Sequence, residues 1–223
     1  MSIKLSHFST PKTSRYAVLG QLTEKTKFIW VVLHGYGHLC NYFIRKFESF
    51  QAEQVLIIAP EGLHRFYLNG TDGKVGASWM TKEDRENDIL DYINYLDLTL
   101  LQVCDSQKLE NIRLIGLGFS QGGATLSRWL VNSKYKFSAF ILWASVFPPD
   151  MEISQLPKNI PGYFIVGDQD EYINADRIKD FQQFVNDHNL NICIEIFQGN
   201  HSIPTPVISN FSSQLHTLLQ TSK

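Results

Sequence analysis

Residues 112–132 read Ile112-Arg-Leu-Ile-Gly-Leu-Gly118-Phe119-Ser120-Gln121-Gly122-Gly-Ala-Thr-Leu-Ser-Arg-Trp-Leu-Val-Asn132. The opening half, Ile112 to Leu117, is short, apolar and β-branched, the composition of a strand covered on both faces. The second half, Gln121 to Asn132, reads as an apolar helix. Between them, Gly118-Phe119-Ser120-Gln121-Gly122 fits G-x-S-x-G at a tight strand-to-helix turn, where the central residue is strained and its hydroxyl projects above the sheet. The flanking glycines remove the Cβ atoms that would collide in such a turn. A plainer reading of the same residues is that Ser120 caps the helix that follows.

The strand grammar recurs along the chain. Phe28 to Leu33, Val55 to Ala59 ending at Pro60, Phe140 to Trp143, Tyr163 to Val166 and Ile192 to Phe197 are further apolar runs, and Tyr16 to Leu22 is a candidate edge strand. Helical segments are expected at Leu39 to Phe50, Ala175 to His188 and Thr205 to Leu219. Another opens at Thr81, spaced from Asp84 like a capping box, and places Ile89, Leu90, Ile93, Leu96, Leu100 and Leu101 on one side. Strands alternating with helices imply parallel pairing through right-handed crossovers, hence an α/β fold with a central, mostly parallel sheet and helices on both faces. No linker, repeat or low-complexity tract interrupts the 223 residues, so 1–223 reads as one domain. Only short loops such as Asn69 to Ala77 rise above the sheet, and no large inserted lid is visible.

Composition narrows the function. Twenty Lys plus Arg against 22 Asp plus Glu leave a formal charge of −2 without a basic run, which argues against nucleic acid as a partner. Cys40, Cys104 and Cys193 are odd in number and widely spaced, and read as buried thiols in a reducing compartment. The N-terminal residues lack the apolar block of an export signal, and no apolar run approaches the roughly 20 residues that span a bilayer. A cytoplasmic chain without an integral membrane segment is expected. His34, His38 and His64 offer no metal-ligand spacing, so no metal is assigned.

In open parallel sheets the site lies beyond the carboxyl ends of the strands. Those ends carry His34-Gly-Tyr-Gly-His38, Gly118 to Gly122, Gly167-Asp-Gln-Asp170 and Gly199-Asn-His-Ser202. A serine hydroxyl needs a base to take its proton, and that base needs a partner that fixes its tautomer. Asp170 and then His201 follow Ser120, in the chain order Ser, Asp, His of α/β-hydrolases. Asp168 and Glu171 share the acid's loop; Asp168 sits closer to the strand end, where it would bond turn amides. Backbone N–H groups of Tyr36 and Gln121 are the candidate oxyanion hole, which leaves their side chains less constrained than their positions.

Four motifs in order, Leu33-His-Gly-Tyr-Gly37, Gly118-Phe-Ser-Gln-Gly-Gly123, Gly167-Asp-Gln-Asp170 with Ile173, and Asn200-His201, resemble the phospholipase/carboxylesterase branch of the α/β-hydrolases, close to acyl-protein thioesterases. The resemblance covers about residues 28–218 and implies Ser120 as nucleophile, Asp170 as acid, His201 as base, and the Tyr36 and Gln121 amides as oxyanion hole. It also makes Trp79, in Gly76-Ala-Ser-Trp79, a candidate pocket wall, with a core position as the alternative. Phe119 and Phe147 are candidate substrate-groove aromatics. The stretch Ala144 to Pro149 departs from the family's usual Ser-Gly pair and would reshape the acyl pocket.

The expected activity is hydrolysis of small or short-acyl esters, with thioesters open to the same chemistry, through an acyl-enzyme and without a cofactor. The partner is then a small-molecule ester, and a homodimer is left open. Two rivals stand beside this. Gly116-Leu-Gly118 with Gly122 has a dinucleotide-binding spacing, but it lies past residue 110 instead of on the first strand. A ligand-binding protein whose triad has lapsed would keep the fold and lose the activated serine.

Overall fold

Successive side chains of a strand point to opposite faces, and the interior strand Phe28–Leu33 shows what that demands here. Phe28, Trp30 and Val32 join one hydrophobic cluster, Ile29, Val31 and Leu33 another, and all six are buried. A computed structural model describes residues 2–50, 53–104, 109 and 111–221 of the chain. Its strands are β1 (Tyr16–Leu19), β2 (Phe28–Leu33), β3 (Val55–Pro60), β4 (His64–Asn69), β5 (Asp72–Ser78), β6 (Arg113–Phe119), β7 (Ala139–Trp143), β8 (Gly162–Gly167) and β9 (Ile192–Phe197). Seven of them form one sheet in the order β1-β3-β2-β6-β7-β8-β9. Only β1 runs antiparallel to its neighbour, Tyr16 facing Pro60 and Leu19 facing Ile57.

Helices cover both faces. On one lie α2 (Arg85–Val103), α3 (Gln121–Asn132) and α4 (Ala175–Asp187), contributing Tyr92 and Leu96, Leu126 and Trp129, and Ile178 and Phe181 to the core. On the other, α1 (Cys40–Phe43) and α5 (Thr205–Thr221) bury Phe43, Ile208, Phe211 and Leu215. The buried Asp97 of α2 ties the first face together: Oδ1 accepts from Trp129 Nε1 and Ser133 Oγ, both at 2.7 Å, and Oδ2 from Lys134 N.

Several local expectations are corrected. The segment 39–50 is one turn of α-helix followed by a 3-10 helix, Ile44–Phe50, rather than a continuous α-helix. Helix α2 starts at Arg85, and Thr81 does not cap it; Asp84 holds the N-cap at φ 50° with no side-chain cap, while Thr81 Oγ1 turns to Glu83. Leu90 and Leu101 face solvent, since at 100° per residue they lie roughly 120–140° round the helix from Leu96. Cys193 is exposed, because β9 is an edge strand with one open side; Cys40 and Cys104 are buried. The stretch Asn69 to Ala77, expected to be a loop above the sheet, is instead the turn and most of the second strand of the antiparallel hairpin β4-β5. Among the described residues no helix is long and apolar enough to cross a membrane.

Two histidines, His34 buried and His216 partly buried, are expected to make the fold acid-sensitive. His216 Nε2 accepts from Trp30 Nε1 at 2.8 Å and its ring stacks on Phe28, and burial pushes its pKa down to about 4. His34 is wholly buried and is likewise held at about 4 by burial. Both rings are neutral in the folded chain, whereas in the unfolded chain they protonate near 6.5. Their contribution to stability is complete above pH 6.5 and is lost as pH falls toward 4. The unfolding free energy from urea titration is expected to fall across that window by on the order of a few kcal/mol in total, and His216→Gln to flatten the slope. A free energy flat from pH 6.5 to 4 would contradict this.

Candidate active site

Ser120 follows β6 and stands at the N-cap of α3 at φ 52°, ψ −119°. A non-glycine residue at positive φ costs on the order of 1 kcal/mol or more and persists only where its surroundings enforce it. Here Ser120 N donates to Trp143 O and Gly123 N to Ser120 O, both at 2.9 Å. The turn also needs bare backbone: a Cβ on Gly118 would stand 2.3 Å from Gly122 O, and one on Gly122 2.2 Å from Leu33 O. Although Ser120 occupies the N-cap, its side chain makes no capping bond. The plainer reading of the serine side chain as a helix cap therefore fails, and among the described residues the hydroxyl makes no capping bond at the sheet's carboxyl edge.

Asp170 and His201 come together from the loops after β8 and β9. Asp170 Oδ2 lies 2.7 Å from His201 Nδ1, and the Asp170 side chain is wholly buried. Its other oxygen accepts Tyr172 N at 2.8 Å and Ile173 N at 2.9 Å, so the carboxylate is satisfied on both sides. Asp168 faces elsewhere: its Oδ1 accepts Gly199 N at 2.9 Å and pins the histidine's loop to the acid's loop. Trp143 Nε1 donates to Ser202 O at 2.8 Å and holds the next residue of that loop. The His201 ring is flanked by Phe119, centroids 4.9 Å apart, and by Tyr172 at 4.6 Å. Phe119 immediately precedes Ser120, so the base lies beside the elbow. Among the described residues Ser120 Oγ makes no hydrogen bond, and such contacts commonly tighten only around substrate.

The loop after β2 supplies the second side of the site. Among the described residues neither Tyr36 N nor Gln121 N has a hydrogen-bond acceptor. Beneath them His34 is a buried pin: Nδ1 bonds Gly35 O at 2.8 Å, which leaves Nε2 to accept Gly62 N at 2.9 Å. The neutral ring that burial enforces has one donor and one acceptor, matching those two partners. Gly37 N donates to Ala77 O and Ala77 N to His38 O, so the loop is zipped onto β5. A Cβ on Gly76 would stand 2.5 Å from Gly37 O, which is why β5 carries glycine there.

The sequence profile of the phospholipase/carboxylesterase family matches residues 16–219. The chain belongs to that family. Its α/β-hydrolase fold is shared with solved structures of low identity. Zea mays acyl-protein thioesterase 2 is 16 % identical with a TM-score of 0.71, over 93 % of this chain and 100 % of that one. The Bacillus cereus carboxylesterase is 14 % identical with a TM-score of 0.66, over 92 % and 94 %. Esterase PE8 is 18 % identical with a TM-score of 0.65, over 91 % and 99 %. Among curated proteins none matches the chain in sequence.

In this phospholipase/carboxylesterase chain the expected pocket residues separate. Phe119 is buried but lines a groove of about 820 Å³ beside His201. Trp79 is fully buried: its indole N–H donates to His34 O at 2.8 Å and its ring lies 5.0 Å from that of His34, so it supports the loop from below and forms no wall of the groove. Phe147 packs against Phe181 and Phe140 and lines a separate depression with Val146 and Arg177. The Gln121 side chain, expected to be loosely constrained, is pinned: Oε1 accepts Trp79 N at 3.2 Å and Nε2 donates to Met80 O at 2.9 Å. Glutamine can serve both, having a donor and an acceptor on one amide. Tyr172 beside His201 was not singled out in the sequence, although its place two residues after Asp170 was the available signal.

Proposed function

We propose that the chain is a cytoplasmic, single-domain serine carboxylesterase acting on small or short-acyl esters, with thioesters accepted by the same route. The observation that carries the reading is the 2.7 Å contact between Asp170 Oδ2 and His201 Nδ1, made beside a serine held at φ 52° in the elbow. With Nδ1–H donated to Asp170, His201 presents a lone pair on Nε2. As Ser120 Oγ bonds to the ester carbonyl carbon, its proton passes to Nε2, and the carbonyl oxygen gains negative charge. The free amides of Tyr36 and Gln121 receive that charge, Gln121 N at the positive end of α3. The carbon–oxygen bond to the alcohol then breaks and His201 returns the proton to the departing oxygen. Water, deprotonated by the same ring, releases the acid and restores Ser120.

Support comes from the family and from an unspent hydroxyl, a buried acid and two unpartnered amides at one edge of the sheet. Cys40 and Cys104 are buried and in no disulfide, which suits a reducing compartment. A serine-directed fluorophosphonate probe is expected to label the purified protein once, on the peptide bearing Ser120. Failure to label, together with no turnover of a short aryl ester, would leave a ligand-binding protein on a hydrolase fold.

A further inference from the structure

The groove beside His201 carries a charge pattern that the ester chemistry does not use. Its walls are apolar, from Leu39, Phe43, Leu68, Val75, Phe119 and Ile203. Two lysines also line it: Lys46 from the 3-10 helix Ile44–Phe50, and Lys74 from strand β5. No aspartate or glutamate among the described residues lines it. Among the described residues neither lysine forms an ion pair, and Asp72, two positions before Lys74, makes none with it.

The formal charge is −2, and some cations elsewhere meet acids, as Lys25 meets Glu53 at 2.7 Å and Arg128 meets Asp150 at 2.8 Å. Lys46 and Lys74 are both exposed, and two cations from separate elements on the rim of one largely apolar cleft give its mouth a positive potential that added salt screens. Such a cleft favours a ligand that carries an anion over its neutral counterpart.

We propose that this groove selects esters carrying an anionic group, which Lys46 and Lys74 bind while the apolar walls hold the intervening chain. The proposal rests on the ester-hydrolase reading above and names its substrate class. The anion can sit on the acyl half or on the alcohol half of the ester, and matched probes separate these. For the acyl half, the mono-para-nitrophenyl ester of adipic acid is compared with para-nitrophenyl hexanoate. For the alcohol half, the butyrate ester of para-hydroxybenzoate is compared with that of para-hydroxybenzamide.

At low salt, kcat/KM is expected to favour the anionic member of one pair by roughly tenfold, and added salt to erode the ratio. The double variant Lys46→Gln, Lys74→Gln is expected to bring that ratio close to one. Lys158→Gln, which removes the same charge from an exposed loop outside the groove, is expected to keep it. Whichever pair responds identifies the half that bears the anion. If neutral esters turn over and neither pair shows the preference, or if Lys158→Gln erases it equally, the anionic selectivity is wrong and the serine-esterase reading stands. If no ester of either kind is hydrolysed, both fall.

Discussion

Ser120→Ala is expected to lower kcat/KM for a short aryl ester by roughly four to six orders of magnitude. The residual rate would reflect the oxyanion donors alone. The same change is expected to leave the melting temperature within about 2 °C of the parent, because surface-type substitutions without lost partners cost little. Ser120 Oγ caps nothing and makes no hydrogen bond among the described residues, and alanine keeps the Cβ already accommodated at φ 52°. Loss of activity with an unaltered fold is the signature of a nucleophile. A parallel loss of both would return Ser120 to a structural role.

Asp170→Asn carries the second large effect, a fall in kcat of about three to four orders of magnitude. The asparagine oxygen would take over the two amides of Tyr172 and Ile173 that Asp170 Oδ1 now accepts. Its NH₂ group would then face His201 Nδ1, where the carboxylate now lies at 2.7 Å. A donor there places the ring's proton on Nε2, the nitrogen that must accept the serine proton, so the base is held in the wrong tautomer. Asp168→Asn has no such consequence, since Asp168 Oδ1 only receives Gly199 N, and its effect on kcat/KM is expected to stay within about fivefold. Equal effects at the two positions, or the larger one at Asp168, would move the acid to Asp168.

The elbow and the strand ends were legible in the sequence because their requirements are local. Gly118 and Gly122 are there since any Cβ would strike backbone, and that need shows as glycine whatever the distant contacts. The buried strands were legible for a similar reason, since a strand covered on both faces must be apolar at every position. Partner-dependent features were not. The hairpin β4-β5 is largely exposed, without an unbroken alternation, and its pairing with His38 through Ala77 joins residues far apart in the chain. Trp79 and Phe147 are aromatic near a predicted site, but only the third dimension decides which way such a ring turns. The indole N–H of Trp79 needed an acceptor once buried and found it in His34 O, which fixes the ring beneath the loop. Lys46 and Lys74 lie 28 positions apart in the sequence and gain meaning only when the fold sets them on one groove.

The central claim is that Ser120 Oγ forms a covalent bond to the acyl group. The most direct measurement is a single-turnover reaction of the purified protein with para-nitrophenyl butyrate, quenched in acid within the first turnover, digested and analysed by peptide mass spectrometry. The account predicts the butyryl mass increment on the peptide spanning Ser120, confined to that residue, rising and decaying with the nitrophenolate burst. Ester hydrolysis without an acylated Ser120 peptide at any quench time, or acyl transfer to another side chain, would contradict it.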